Sequence, residues 1–327
     1  MDLNSSLELA LVNLTSPPVL AFVLGLIAVA VRADLRLPDA VYQATSMYLL
    51  LAIGIKGGVA LREASPADVA LPLVATLVLG IVIPIAAFGL LRVLTPLGRI
   101  DRGAMAAHYG STSLVTFTAA LVFLEASQIA FEGYVATLLT VLEIPGIIVG
   151  LLLARGMKGG GLGGTLREVI LGRSVLLLVG GLAIGFLTGP VGYTRVEPFF
   201  GDLFTGVLTL FLLELGMLTG RQLSALRHAG PGLVVFAIGF PLLAGFAGVV
   251  GGTLAGMEVG GAMILGVLCA SASYIAAPAA VRLALPEAKP SITLVSSLGM
   301  TFPFNLIIGI PLYLVMAQAV SSWMGGT

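Results

Sequence analysis

Two polar stretches interrupt long apolar runs: Gly110-Ser111-Thr112-Ser113, with Thr116 one turn on, and Ser271-Ala272-Ser273-Tyr274. Small and hydroxyl residues stand there where a lipid-facing helix would carry Leu and Ile. A helix that breaks at such a stretch presents free N–H groups and the positive end of its dipole, which attract an anion. The carbonyls released at the same break, joined by hydroxyl oxygens, suit a hard cation such as Na+. The competing explanation is that Ser, Thr and Gly only let helices pack closely.

Three ionisable residues also lie in or at the edge of apolar runs: Lys56, Glu143 and Glu214. Charges at membrane depth cost roughly 2.5–3.5 kcal/mol even on insertion scales, so each is a functional candidate. Glu143 precedes Pro145, and Thr301 precedes Pro303 with Asn305 close by. A proline frees a carbonyl, and a neighbouring acid or hydroxyl can complete a cation's oxygen shell or shape a gate. A hydrogen-bonded structural acid is the other reading of Glu143. Lys56 and Glu214 either form an ion pair or Lys56 snorkels from the end of its span. His108 reads as a capping or interfacial residue, with a proton relay as the sharper alternative, and His228 as a solvated loop residue. No Ser/His/Asp arrangement and no metal-ligand spacing occurs, and the single cysteine, Cys269, has no partner for a disulfide. Enzyme chemistry, a resident metal and other cofactors are therefore not expected.

The elements that must carry these residues are transmembrane helices. Hydrophobic residues make up 58% of the 327, charged residues 10%, and the mean hydropathy is +1.10, against roughly 25% charge in soluble domains. Sixteen basic residues balance sixteen acidic ones, which gives no footprint for nucleic acid. A bilayer-spanning helix needs about 20 apolar residues, and runs of that kind fall at 9–31, 40–55, 69–91, 103–124, 133–154, 174–194, 203–220, 229–257, 259–281 and 291–327. The expectation is an all-α integral membrane protein of ten spans, kinked in the last by Pro303 and Pro311. The segment 1–18 holds Asp2 and Glu8 but no Lys or Arg, so the first run reads as a retained helix and not a cleaved leader.

Thirteen Lys and Arg residues fall on one side, in the loops after the first, third, fifth, seventh and ninth runs, and only Arg62 and Arg195 on the other. The positive-inside rule places the rich side in the cytoplasm and both termini outside. A constant shift of 158 superimposes Gly103-Ala-Met105 on Gly261-Ala-Met263, Ser113 on Ser271, Pro145 on Pro303, Gly58 on Gly216 and Lys56 on Glu214. This predicts a first five-helix repeat at 1–154, a Gly-rich cytoplasmic linker at 155–168 and a second repeat at 169–327. Five spans are an odd number, so the second repeat is inverted. Paired broken helices at the midplane of inverted repeats are the architecture of secondary transporters. The fourth and ninth runs are the broken pair, with Ser111, Thr112, Ser113, Thr116, Ser271, Ser273 and Tyr274 around one cavity.

Gly110-Ser-Thr-Ser113 through Leu124-Glu-Ala126, Glu143-Ile-Pro145, Leu215-Gly-Met217, Ser271 through Pro278 followed by Arg282, and Ser296 through Pro303 together make the chain resemble the sodium-dependent bicarbonate transporters of the SbtA type and their broader bacterial relatives. The resemblance covers essentially the whole chain. It implies interleaved core and gate domains, a homotrimer in the bacterial inner membrane, and elevator-like symport of bicarbonate with sodium. It further implies regulation by a small PII-like protein and a site at Ser113, Thr116, Ser271 and Ser273. Tyr274 stands where the bicarbonate-transporting members carry Asp, and the connector at 155–173 is shorter than is common among them. Two other readings stay open: a transporter of another small organic anion that uses the Tyr274 hydroxyl, and a non-transporting membrane sensor or scaffold.

Overall fold

A computed structural model describes residues 11–33, 35, 37–155, 167, 170–226 and 230–325. The Gly-rich connector, His228 and most of the segment before the first helix lie outside the described residues. Among the described residues every regular element is helical. In chain order they are α1 (Pro17–Ala30), α2 (Asp39–Glu63), α3 (Pro66–Leu94), α4 (Arg99–Gly110), α5 (Leu114–Ala126), α6 (Val135–Arg155), α7 (Arg173–Tyr193), α8 (Phe204–Leu226), α9 (Pro231–Leu254), α10 (Val259–Ala270), α11 (Ala276–Ala284) and α12 (Pro290–Trp323). Eight segments are long and apolar enough to cross a membrane, α4 and α5 counting as one, and α1 and α10 are shorter apolar helices.

The predicted fourth run is thus two helices, α4 and α5, parted at 111–113, and the ninth is α10 and α11, parted at 271–275. The second span is longer than its apolar run. The helix continues past Ile55 to Glu63, so Lys56 sits inside α2 and not at its end. In the last helix two wide π turns, Val295–Thr301 and Asn305–Gly309, accompany Pro303 and Pro311.

The helices fall into two groups that meet where α8 packs on the π turn of α12 and α2 on α6. α1, α2, α7 and α8 form one, and α3, α4, α6, α9, α10 and α12 form the other, with α5 and α11 laid against it. Glycines set the separation within the first group, since apolar helices in lipid associate by close packing and not by hydrophobic drive. A Cβ on Gly25 of α1 would lie 2.2 Å from the Leu213 carbonyl oxygen of α8, and one on Gly185 of α7 would lie 2.0 Å from that of Ile55 of α2. The outward faces of α3, α7 and α9 expose Leu71, Val78, Val82, Leu187, Val191, Leu243 and Phe246, a surface suited to acyl chains.

Interior prolines leave a carbonyl four residues back without its helical donor, and side chains from other helices supply one. Tyr134 Oη donates to the Asp68 carbonyl freed by Pro72 at 3.2 Å, Arg62 Nη1 to that of Phe186 freed by Pro190 at 3.2 Å, and Thr301 Oγ1 to that of Ala237 freed by Pro241 at 2.6 Å. Two carboxylates, Glu132 in a loop and Asp101 in the first turn of α4, tie the halves of the larger group together. Glu132 Oε1 accepts from the Glu258 N–H at 2.6 Å, and Asp101 Oδ1 accepts from the Lys289 N–H at 2.9 Å. Burial raises the Glu132 pKa above its ordinary value; the Glu258 N–H bond opposes that shift, while the nearby Glu258 charge adds to it.

Candidate functional site

The two breaks meet. The Ser113 N–H donates to Ser271 Oγ at 2.9 Å, and the Ser273 N–H donates to the His108 carbonyl at 2.8 Å, so each interruption supplies a partner for the other's exposed backbone. Both following helices are capped from the break. Ser113 Oγ accepts from the Thr116 N–H at 3.2 Å at the start of α5, and Ser273 Oγ accepts from the Ala277 N–H at 3.1 Å at the start of α11. Two helix N-termini therefore approach the same place from the two halves of the chain.

Between them lies a narrow cavity of about 10 Å³, the room of roughly one water. Thr112, Ser113, Glu143, Ser174, Ser273 and Tyr274 provide its polar wall, and Leu50, Leu139 and Leu178 its apolar one. Ser113 Oγ donates to Tyr274 Oη at 3.1 Å and accepts from Thr116 Oγ1 at 2.9 Å. Tyr274 also packs edge-on against Phe302, with ring centroids 5.4 Å apart. Glu143 is buried, and its Oε2 has no hydrogen-bond partner among the described residues. What remains free toward the cavity is the Tyr274 and Ser273 hydroxyl protons, Thr112 and the Glu143 carboxyl.

A vestibule of about 480 Å³ adjoins this cavity and shares Leu50, Ser174, Ile275 and Ala276 with it. Its walls include Tyr42, Gln43 and Ser46 of α2 and Arg173 at the head of α7, whose Nη1 donates to Gln43 Oε1 at 3.4 Å. The vestibule lies between the two helix groups and leads from the basic Arg173 to the crossing of the breaks.

The sequence-predicted residues separate into layers. Thr112, Ser113, Ser273, Tyr274 and Glu143 reach the cavity. Thr116 and Ser271 stand behind it and hold Ser113, and Ser271 Oγ is itself spent on the Leu268 carbonyl at 2.8 Å. Ser111 is buried with no partner for its Oγ among the described residues, and it does not line the cavity. Thr301 and Asn305 lie farther back. Thr301 serves the Pro241 break and bonds Tyr109 Oη at 2.7 Å. Asn305 Nδ2 donates to the carbonyl of Ala270, the last residue of α10, at 2.8 Å, and its Oδ1 accepts from Tyr313 Oη at 3.0 Å.

Lys56 and Glu214 do not pair. Lys56 Nζ sits 4.9 Å from the centroid of the Phe204 ring, beside a separate pocket of about 190 Å³ that also takes in Glu125. Glu214 accepts from the Leu37 N–H at 3.0 Å. Sequence reasoning missed Ser174, Gln43 and Arg173. Ser174 is a lone hydroxyl at the head of a span, where interfacial polarity is ordinary, and only the fold shows that it faces the cavity.

The model of one protein family, described as the Na+-dependent bicarbonate transporter superfamily, matches residues 17–318. No curated protein matches the chain.

Proposed function

The chain belongs to the Na+-dependent bicarbonate transporter superfamily, and on that premise we propose that it is a secondary active transporter that imports bicarbonate together with sodium by alternating access at the crossing of its two broken helices. The observation that carries this reading is the convergence of the α5 and α11 N-termini, capped by Ser113 and Ser273, on a cavity that also holds a buried carboxyl. The N-termini and the Ser273 and Tyr274 hydroxyls favour a small oxyanion. The Glu143 carboxyl, with an oxygen left unpartnered, is the only acid on the cavity wall among the described residues and suits a coupled Na+. Sodium here is cargo, held against Glu143 and the neighbouring hydroxyl oxygens.

The symmetry of the contacts supports ten spans in two inverted repeats, 1–154 and 169–327. Ser113 bonds Ser271, its own equivalent under the shift of 158. The Gly25 contact with Leu213 is mirrored by Gly185 with Ile55, and that of Gly58 with Leu182 by Gly216 with Phe22. The α1, α2, α7 and α8 group is then the gate domain and the other group the core. Movement of the core against the gate would open and close the vestibule. Both termini outside, an inner-membrane setting, a homotrimer and control by a PII-like protein belong to the same reading.

A second reading is favoured by Tyr274, whose hydroxyl is bonded to Ser113 where a carboxylate is expected: the cargo is another small organic anion. Thermal unfolding of the purified chain with bicarbonate or small carboxylates, in sodium and in choline, separates the two. Stabilisation by bicarbonate in sodium and its absence in choline supports the first. Stabilisation by an organic anion alone, indifferent to sodium, overturns it.

A further inference from the structure

A further cavity, of about 60 Å³, lies away from the vestibule, between the end of α4, the far end of α11 and the start of α12. His108 lines it from within, and Arg282 and Lys289 stand at its rim. Neither cation is in an ion pair among the described residues. The Lys289 backbone is anchored by Asp101, which fixes the loop without engaging the ammonium group.

His108 gives the cavity its chemistry. It is 1% exposed, and its Nδ1 lies 2.8 Å from the Ala104 carbonyl, which can only accept, so Nδ1 carries the proton. In the neutral ring Nε2 is then a bare acceptor, and although buried it has no partner among the described residues. A buried polar atom without a partner calls for a ligand or an ordered water.

We propose that His108, Arg282 and Lys289 form a binding site for a small oxyanion that still carries a proton, of which hydrogen phosphate and bicarbonate are examples, separate from the broken-helix cavity. The anion's O–H donates to Nε2, and its charged oxygens accept from the guanidinium and ammonium groups. The cavity holds about four waters' worth of space, enough for an ion of four or five heavy atoms. A fully deprotonated anion such as sulfate meets the two cations but sets an oxygen lone pair against that of Nε2. One peptide group connects the two sites, because the His108 carbonyl accepts the Ser273 N–H.

The chain has two histidines, so a His228→Gln variant labelled with nitrogen-15 histidine reports on His108 alone. In the full-length protein at neutral pH, phosphate should move the Nε2 resonance saturably, and bicarbonate should do the same. Sulfate should bind at least about tenfold more weakly, the loss of one hydrogen bond to a charged group. Arg282→Gln with Lys289→Gln, both at exposed positions, should abolish the shift and leave the unliganded spectrum in place. An unmoved resonance, an equal response to sulfate, or a response that survives in the double variant overturns the proposal. Bicarbonate uptake by the same preparation is read separately, so failure of the transport reading leaves this result standing.

Discussion

The two breaks bond to each other yet are built differently. The first, residues 111–113, is short, buried throughout and backed by main chain: a Cβ on Gly146 of α6 would lie 1.8 Å from the Gly110 carbonyl oxygen. The second, residues 271–275, is longer. Its Tyr274 and Ile275 are only half buried, and Ile275 belongs to both the cavity and the vestibule. Beside it, a Cβ on Gly266 of α10 would first meet the Val249 side chain, at 2.6 Å, and then the Gly245 carbonyl oxygen, at 3.0 Å. A backbone neighbour cannot move aside and a methyl can. At these two glycines the first break is therefore the more rigid and the second the softer.

Substitutions at paired positions sharpen or break this contrast. Gly146→Ala should cost about 3 kcal/mol or more through overpacking against Gly110, while Gly266→Ala should cost on the order of 1 kcal/mol. Melting temperatures in detergent measure both, and equal losses would erase the distinction. Next in size, Ser113→Ala removes an N-cap together with bonds to Thr116 and Tyr274, at about 2 kcal/mol, whereas Ser273→Ala removes the α11 cap alone, at about 1 kcal/mol. Tyr274→Phe deletes one hydrogen bond at the softer break and should change stability by less than about 1 kcal/mol. Its main effect should be on which anion stabilises the protein.

The smallest effect concerns pH. Burial raises the Glu132 pKa above its ordinary value of 4.5. The folded state therefore holds that proton more tightly than the unfolded one does. The associated stability is complete below 4.5 and is lost as pH rises through the folded value. Glu132→Gln keeps an acceptor for the Glu258 N–H and should flatten that decline in the melting temperature, and an unchanged slope would assign it elsewhere.

The breaks were legible because hydroxyls and glycines inside apolar runs have few other uses, and Glu143 was legible because an acid beside a proline at membrane depth is costly. The limits of α2 were not, because in sequence a charge at the end of an apolar run marks the end of a span. Lys56 is accommodated inside the helix by the Phe204 ring, a contact made only by the folded chain. Thr301 looked like a cation ligand by its place before Pro303. Its hydroxyl is instead spent on a carbonyl that Pro241 frees 64 residues away, and no local pattern records such a debt. Asn305 is hidden in the same way, tied to the end of α10. Lys56 and Glu214 share a register and opposite charge, but equivalence in a repeat does not place two residues in contact.

Uptake of labelled bicarbonate into sealed liposomes that contain the purified chain tests the central claim most directly. An inward sodium gradient should drive accumulation above the external level. Replacement of sodium by choline should abolish it, and Ser273→Ala should reduce it in protein that remains folded. Uptake indifferent to sodium, or no flux from a chain that still binds bicarbonate, would contradict sodium-coupled transport at the crossed breaks.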